Sequence, residues 1–239
     1  MERVSTGVGG LDDLIEGGIP VGFNVLVSGL PGTGKTILGL QFIHEGVKNG
    51  EPGIYVSFEQ FREDIIKQAE QFGWSDIRNE KLFSLLSIKH KDIQSFMGYL
   101  RDEVAAKKAR RLVIDSLSVL SVYTNILEDT EQTRLVELSM DLHSKVPLDA
   151  YQLRRQTVYH ILSKIKSLGV TTLLISEQMG PDGGRDEVSE FVCDGLIYFN
   201  KVNVGNDVIR SALVEKMRQT RINAGNHTMD FSAGGIVVQ

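Results

Sequence analysis

Cysteine is all but absent from this 239-residue chain: Cys193 stands alone, so no intramolecular disulfide can form. Its apolar neighbours Phe191, Val192 and Leu196 suit a small buried hydrophobe better than a reactive thiol. No run of about eighteen or more apolar residues occurs, so no membrane-spanning helix is expected. The start, Met1-Glu2-Arg3, lacks the basic opening and apolar stretch of a signal peptide, and a cytoplasmic location is expected. Excess positive charge is missing too. A net charge of -5 offers no general electrostatic reason to bind nucleic acid, although a local basic patch inside a ring would escape such a count. The five histidines, His44, His90, His143, His160 and His227, are scattered, with no His/Cys pair at zinc-ligand spacing. Neither a Gly-x-Ser-x-Gly elbow nor a kinase catalytic loop is present, and no repeat, linker or low-complexity tract interrupts the chain.

What is there is ordinary globular material. Hydrophobic residues make up 41% and charged residues 24%, enough apolar surface for one sizeable core, so residues 1–239 are expected to form one domain. Short apolar runs alternate with segments of helical period, the pattern of an α/β fold with a mostly parallel sheet covered by helices. The candidate buried strands are 24–28, 54–58, 82–86, 112–115 and 171–176, five strands of a central sheet. Between them Ile37, Leu40, Phe42, Ile43 and Val47 form one helix face. Ile65, Ala69 and Phe72 form a second, and Ile93, Phe96, Met97, Leu100 and Val104 a third. Two further helical stretches, 130–145 and 151–168, flank Pro147 in a turn-like segment at 145–149. From Leu196 onward the chain predicts antiparallel strands at 196–199 and 208–216, joined through Gly205-Asn206, with a last strand at 236–238.

Chemistry concentrates after the first strand. Gly29-Leu30-Pro31-Gly32-Thr33-Gly34-Lys35-Thr36 matches G-x-x-x-x-G-K-[ST] in full, between a strand and a helix as that motif requires. Gly32 and Gly34 let the backbone curl until successive N–H groups point at phosphate oxygens, and the helix that follows adds its positive N-terminal dipole. Lys35 is expected to reach the β- and γ-phosphates of ATP, and Thr36 to offer its hydroxyl to Mg2+. The strand Arg111-Leu112-Val113-Ile114-Asp115 delivers a carboxylate that suits the magnesium shell, or else caps the next turn. A second strand delivers Glu59, either to orient the attacking water and accept its proton or to cap the helix after Phe61.

With these residues in view the chain resembles a KaiC-type ATPase of the RecA superfamily over nearly its whole length. The lead-in Val4-Ser5-Thr6-Gly7-Val8-Gly9-Gly10-Leu11-Asp12, followed by Gly17-Gly18-Ile19-Pro20, is similar to that family's approach to its phosphate loop. The resemblance implies a RecA-like P-loop fold, Mg-dependent ATP hydrolysis with Glu59 catalytic, and a hexameric ring with composite ATP sites. In that ring Lys216 and Arg218, matching a Lys-x-Arg pair on a late strand, would reach the γ-phosphate held by a neighbouring subunit. Read alone, without the resemblance, the two fit solvated charges on a strand face better. Two departures stand out: Gln60 follows Glu59 where a second acid is common, and Ile222 stands where many relatives carry histidine.

The strand end Ser176-Glu177-Gln178 resembles a sensor of nucleotide state, with structural caps as the plain alternative. The glycine-rich segment 179–185 lies where recombinases contact DNA, yet Asp182, Asp186, Glu187 and Glu190 outnumber Arg185 there and oppose phosphate. The leading expectation is a ring-forming ATPase coupled to a partner protein or a regulatory output. One alternative is a recombinase-paralogue accessory factor that binds single-stranded DNA. Another, which Gln60 keeps open, is a module that binds ATP and barely turns it over.

Overall fold

Strand side chains alternate between two faces, and that period of two builds the layers of this molecule. The structure, a computed structural model, describes residues 1–79, 82–87, 93–118, 150–177 and 187–239. Its main sheet comprises β3 (Asn24–Gly29), β4 (Gly53–Ser57), β5 (Phe83–Ser87), β6 (Arg111–Asp115), β7 (Thr171–Glu177), β8 (Gly195–Val204), β9 (Asp207–Met217), β10 (Asn226–Ser232) and β11 (Gly235–Val238). The spatial order is β11-β10-β9-β8-β3-β7-β6-β4-β5. The run from β8 to β5 is parallel, and β9, β10 and β11 continue the same sheet antiparallel. A separate two-stranded ribbon pairs β1 (Arg3–Val4) with β2 (Ile19–Pro20).

The helices are α1 (Lys35–Lys48), α2 (Arg62–Gln71), α3 (Ile93–Lys107), α4 (Ala150–Ser167) and α5 (Glu187–Val192). Val25, Val27, Tyr55 and Val113 face one layer, where α1 supplies Leu38, Leu40, Phe42 and Ile43. Leu26, Ile54, Val56, Leu112 and Ile114 face the other, against Leu100 of α3 and Ile161, Leu162 and Ile165 of α4. Because β3, β4 and β6 are covered on both faces, they read in the sequence as continuous apolar runs.

Two differences from the sequence reading have physical causes. The central sheet holds nine strands rather than five, since β8 pairs parallel with β3 on one side and antiparallel with β9 on the other. Strand β10 was invisible because only Met229 of its seven residues is buried, so no apolar alternation marks it. Arg111 begins a buried strand and is itself 1% exposed. Its guanidinium donates to Glu51 and to the carbonyls of Ser5 and Phe42, which is how a buried charge is tolerated. Cys193 is buried as expected. The expected helix at 130–145, the turn at 145–149, the segment 179–185 and Gln178 lie outside the described residues.

Candidate functional site

All parallel strands end at one sheet edge, and the sequence-predicted phosphate loop crosses that edge between β3 and α1. Gly32 has φ +76° and Gly34 has φ +105°, left-handed values that favour glycine and turn the chain into the helix. Gly29 is glycine for a different reason. A Cβ there would lie 2.2 Å from the Phe199 carbonyl oxygen, so only a bare Cα lets β8 pass this close. Thr33 Oγ1 donates to the Leu30 carbonyl at 2.9 Å and closes the turn from inside, while Pro31 lends its carbonyl to Lys201 Nζ at 2.7 Å.

Lys35 opens α1 and is 6% exposed. Its ammonium donates to the carbonyls of Gly29 at 2.8 Å and Leu30 at 3.0 Å. Burial pushes its pKa down, and the carboxylates of Glu177, Asp115 and Glu59 oppose that shift without overturning it. The ammonium thus rests on loop carbonyls within the field of three carboxylates.

Helix α1 packs across β6 and β4, which carries its first turn toward the end of β6. There Thr36 Oγ1 donates to Asp115 Oδ2 at 2.9 Å. Tyr55 donates to the same oxygen at 2.6 Å. Burial raises the Asp115 pKa, while the hydrogen bonds from Tyr55 and Thr36 pull it back. Tyr55 is pushed well above its ordinary value, by burial first and by Asp115 second.

Glu59 follows β4 and is exposed; Ser116 Oγ donates to its Oε1 at 2.6 Å. Gln60 is held by its neighbours: its N–H donates to Ser57 Oγ at 3.0 Å, and Gln68 donates to its side-chain oxygen at 3.0 Å. At the end of β7, Ser176 shares a hydrogen bond with Ser118 at 3.3 Å, and Ser118 Oγ accepts from the Glu177 N–H.

The structure thus gathers Gly29, Pro31, Gly32, Thr33, Gly34, Lys35, Thr36, Asp115 and Glu59 at one edge. Lys216 and Arg218 lie elsewhere. Phe199 pairs with Gly29 on one side and Ala212 on the other, whereas Lys216 pairs with Leu196 and Arg218 follows the end of β9. Six residues of chain from Ala212 to Arg218 span about 20 Å toward the opposite sheet edge. There Lys216 Nζ donates to the carbonyls of Glu190, Phe191 and Cys193, at the end of α5. Arg218 donates to the Phe191 carbonyl at 3.3 Å and lies 3.5 Å from Asp194. Neither can reach the phosphate loop of its own chain.

Sequence reasoning missed Tyr55, Ser116 and Lys201. For Tyr55 a signal existed: a phenol amid the apolar residues of a buried strand needs a partner for its hydroxyl. Ser116 and Lys201 meet the site only through strand pairing.

The oxygen donors Thr36 and Asp115 share one hydrogen bond beside the loop, a hard-ligand pair that fits Mg2+. Among the described residues no group of three or more His, Cys, Asp or Glu side chains could form a metal cage. A magnesium ion here would share its shell with phosphate oxygens and water.

A strand, a glycine-rich loop and a helix at the carboxyl edge of a parallel sheet, with a carboxylate from a further strand, define a P-loop nucleotide-binding protein. The chain matches the model of the family "ATPase: KaiC" over residues 4–145 and 125–239. It is similar to a UPF0273 protein of Saccharolobus solfataricus, with 33% identity covering all of this chain and 83% of that protein. It is similar also to the circadian clock oscillator protein KaiC of Parasynechococcus marenigrum, with 30% identity, all of this chain but 45% of KaiC. The crystal structure of a KaiC-like protein from the hyperthermophilic archaeon Pyrococcus horikoshii superposes with a TM-score of 0.80 at 29% identity, covering 100% of this chain and 99% of that one. The chain belongs to the KaiC-like family of RecA-superfamily ATPases. No helix among the described residues is long and apolar enough to cross a membrane.

Proposed function

We propose that this protein hydrolyses Mg-ATP in composite sites between subunits of a ring and passes nucleotide state to a partner protein or a regulatory output. The observation that carries this reading is the division of charged groups between two sheet edges. Lys35, Thr36, Asp115 and Glu59 share the phosphate-loop edge, and Lys216 and Arg218 sit on the edge their own loop cannot use. A head-to-tail contact joins one edge to the other, and repetition closes a ring.

In this reading the loop N–H groups and Lys35 bind the β- and γ-phosphates, which removes the need for Lys35 to lean on Gly29 and Leu30. Thr36 and Asp115 would hold magnesium, which supplies charge neutralisation between the β- and γ-phosphates. Glu59 accepts the proton of the attacking water, with Ser116 holding one of its oxygens in place. The atom that accepts this proton is the oxygen left open by Ser116, Oε2. Lys216 and Arg218 of the next subunit stabilise charge on the transferring group.

The test is mixing. Arg218→Ala is expected to cut hydrolysis by about a thousandfold or more with little change in ATP affinity. Mixing it with Glu59→Gln, after verified subunit exchange, restores part of the activity, since some interfaces then pair an intact Glu59 with an intact Arg218. Light scattering gives the stoichiometry with ATP and magnesium. A chain that stays monomeric, or mixtures with no recovered turnover, returns Lys216 and Arg218 to capping α5.

A further inference from the structure

A tyrosine inside a buried strand brings a hydroxyl into a layer without water, and that hydroxyl must be satisfied by protein. Tyr55 is 0% exposed. It shares its layer with Val113 and α1, while its strand neighbours Ile54 and Val56 face the opposite layer. Phenylalanine would fill the same volume. The hydroxyl therefore adds nothing to packing, and what it does is donate to Asp115 Oδ2 at 2.6 Å. Thr36 Oγ1 donates to that same oxygen at 2.9 Å. Asp115 Oδ1 accepts no side-chain hydrogen bond among the described residues.

We propose that Tyr55 is a positioning residue for the magnesium-side carboxylate, which fixes the rotation of Asp115 from within the core. This deepens the reading of Asp115 as a metal-side group and rests on it. A carboxylate held by one donor can swing about its Cβ–Cγ bond. Two donors arriving at one oxygen from different elements, β4 and α1, must both break before it turns. Thr36 alone is a poor anchor, because its hydroxyl, in the first turn of α1, is itself a candidate magnesium ligand. Tyr55 is anchored in a buried strand between β5 and β6. Its hydroxyl acts through Asp115.

The experiment is a magnesium titration at fixed fluorescent ADP analogue, with wild type, Tyr55→Phe, Asp115→Ala and the double variant. Outer-shell partners of metal ligands typically alter metal affinity by about 10- to 100-fold, and the lower end is expected here. The magnesium concentration for half-maximal gain in nucleotide affinity should rise about tenfold in Tyr55→Phe. Affinity in excess EDTA should be unchanged, and in the Asp115→Ala background Tyr55→Phe should have no further effect. An unshifted magnesium dependence overturns the proposal, as does a shift that persists without Asp115. A Tyr55→Phe chain that fails to fold by circular dichroism overturns it too, since the hydroxyl would then serve the core. If wild type itself gains no affinity from magnesium, the metal reading of Thr36 and Asp115 fails, an outcome distinct from a wild type that responds and a variant that matches it.

Discussion

Replacing Lys35 with methionine separates binding from stability at one side chain. Methionine keeps the length of the chain and removes its charge. In the nucleotide-free protein two opposing changes follow. The Gly29 and Leu30 carbonyls lose donors at 2.8 and 3.0 Å. Each unsatisfied acceptor costs about 1–3 kcal/mol if no water replaces the donor; the part-buried Leu30 carbonyl takes the low end and the buried Gly29 carbonyl does not. Against this, the fold no longer holds a buried ammonium that it disfavours, as the lowered pKa of Lys35 records. The two changes oppose each other, so the expected loss of unfolding free energy is modest, no more than about 3 kcal/mol. Nucleotide affinity behaves differently. Two charge-assisted hydrogen bonds to phosphate contribute about 1.5–3 kcal/mol each, and losing both raises Kd by roughly a hundredfold or more. The pH profile adds a second readout. Only the ammonium binds phosphate, and its pKa in the folded protein lies below the ordinary 10.5, so wild-type affinity falls as pH rises through that lowered value. The same shift makes wild-type stability increase across the interval from the lowered value up to 10.5, because deprotonation relieves the burial cost. Lys35→Met should lack both limbs. Fluorescent-ATP titrations and thermal melts between neutral and alkaline pH measure them. A Kd within twofold of wild type would refute the assignment of Lys35 to phosphate.

Other outcomes follow from the same geometry. Glu59→Gln should keep ATP affinity and lose about 10²–10⁴-fold in turnover, measured by phosphate release; wild-type turnover would make Glu59 a cap. Gly29→Ala drives a Cβ against the Phe199 carbonyl oxygen and should lower stability by about 1–3 kcal/mol in denaturant melts while distorting the loop. Arg111→Ala takes the donor from the Ser5 and Phe42 carbonyls, while Glu51 keeps Arg110 at 3.7 Å, and should cost about 2–4 kcal/mol with no direct effect on nucleotide contacts. Fluorescence anisotropy should detect little single-stranded DNA binding at physiological salt, given the net charge of -5; tight, salt-sensitive binding would favour the recombinase-like alternative.

Much of this was legible in the chain itself, for reasons that are local. A phosphate loop depends on glycines at fixed offsets and a helix that starts at once, so 29–36 stands out without knowledge of any other residue. Buried parallel strands advertise themselves as apolar runs, and Asp115 and Glu59 stand out as candidates because one closes such a run and the other follows one. What the sequence could not state is which strands lie side by side. Strands β7 and β6 separate β3 from β4, and only that order explains how α1 meets the end of β6 and how Glu59 comes within the field of Lys35. The partnership of Tyr55 with Asp115 spans sixty residues, and that of Glu59 with Ser116 fifty-seven. Period and spacing carry no record of such pairs, because hydrogen bonds of this kind depend on register between strands. The same holds for Lys216 and Arg218. Their spacing of two residues was readable, but their distance from their own phosphate loop follows from β9 running antiparallel to β8 and ending at Met217, a fact of pairing that tertiary structure alone decides.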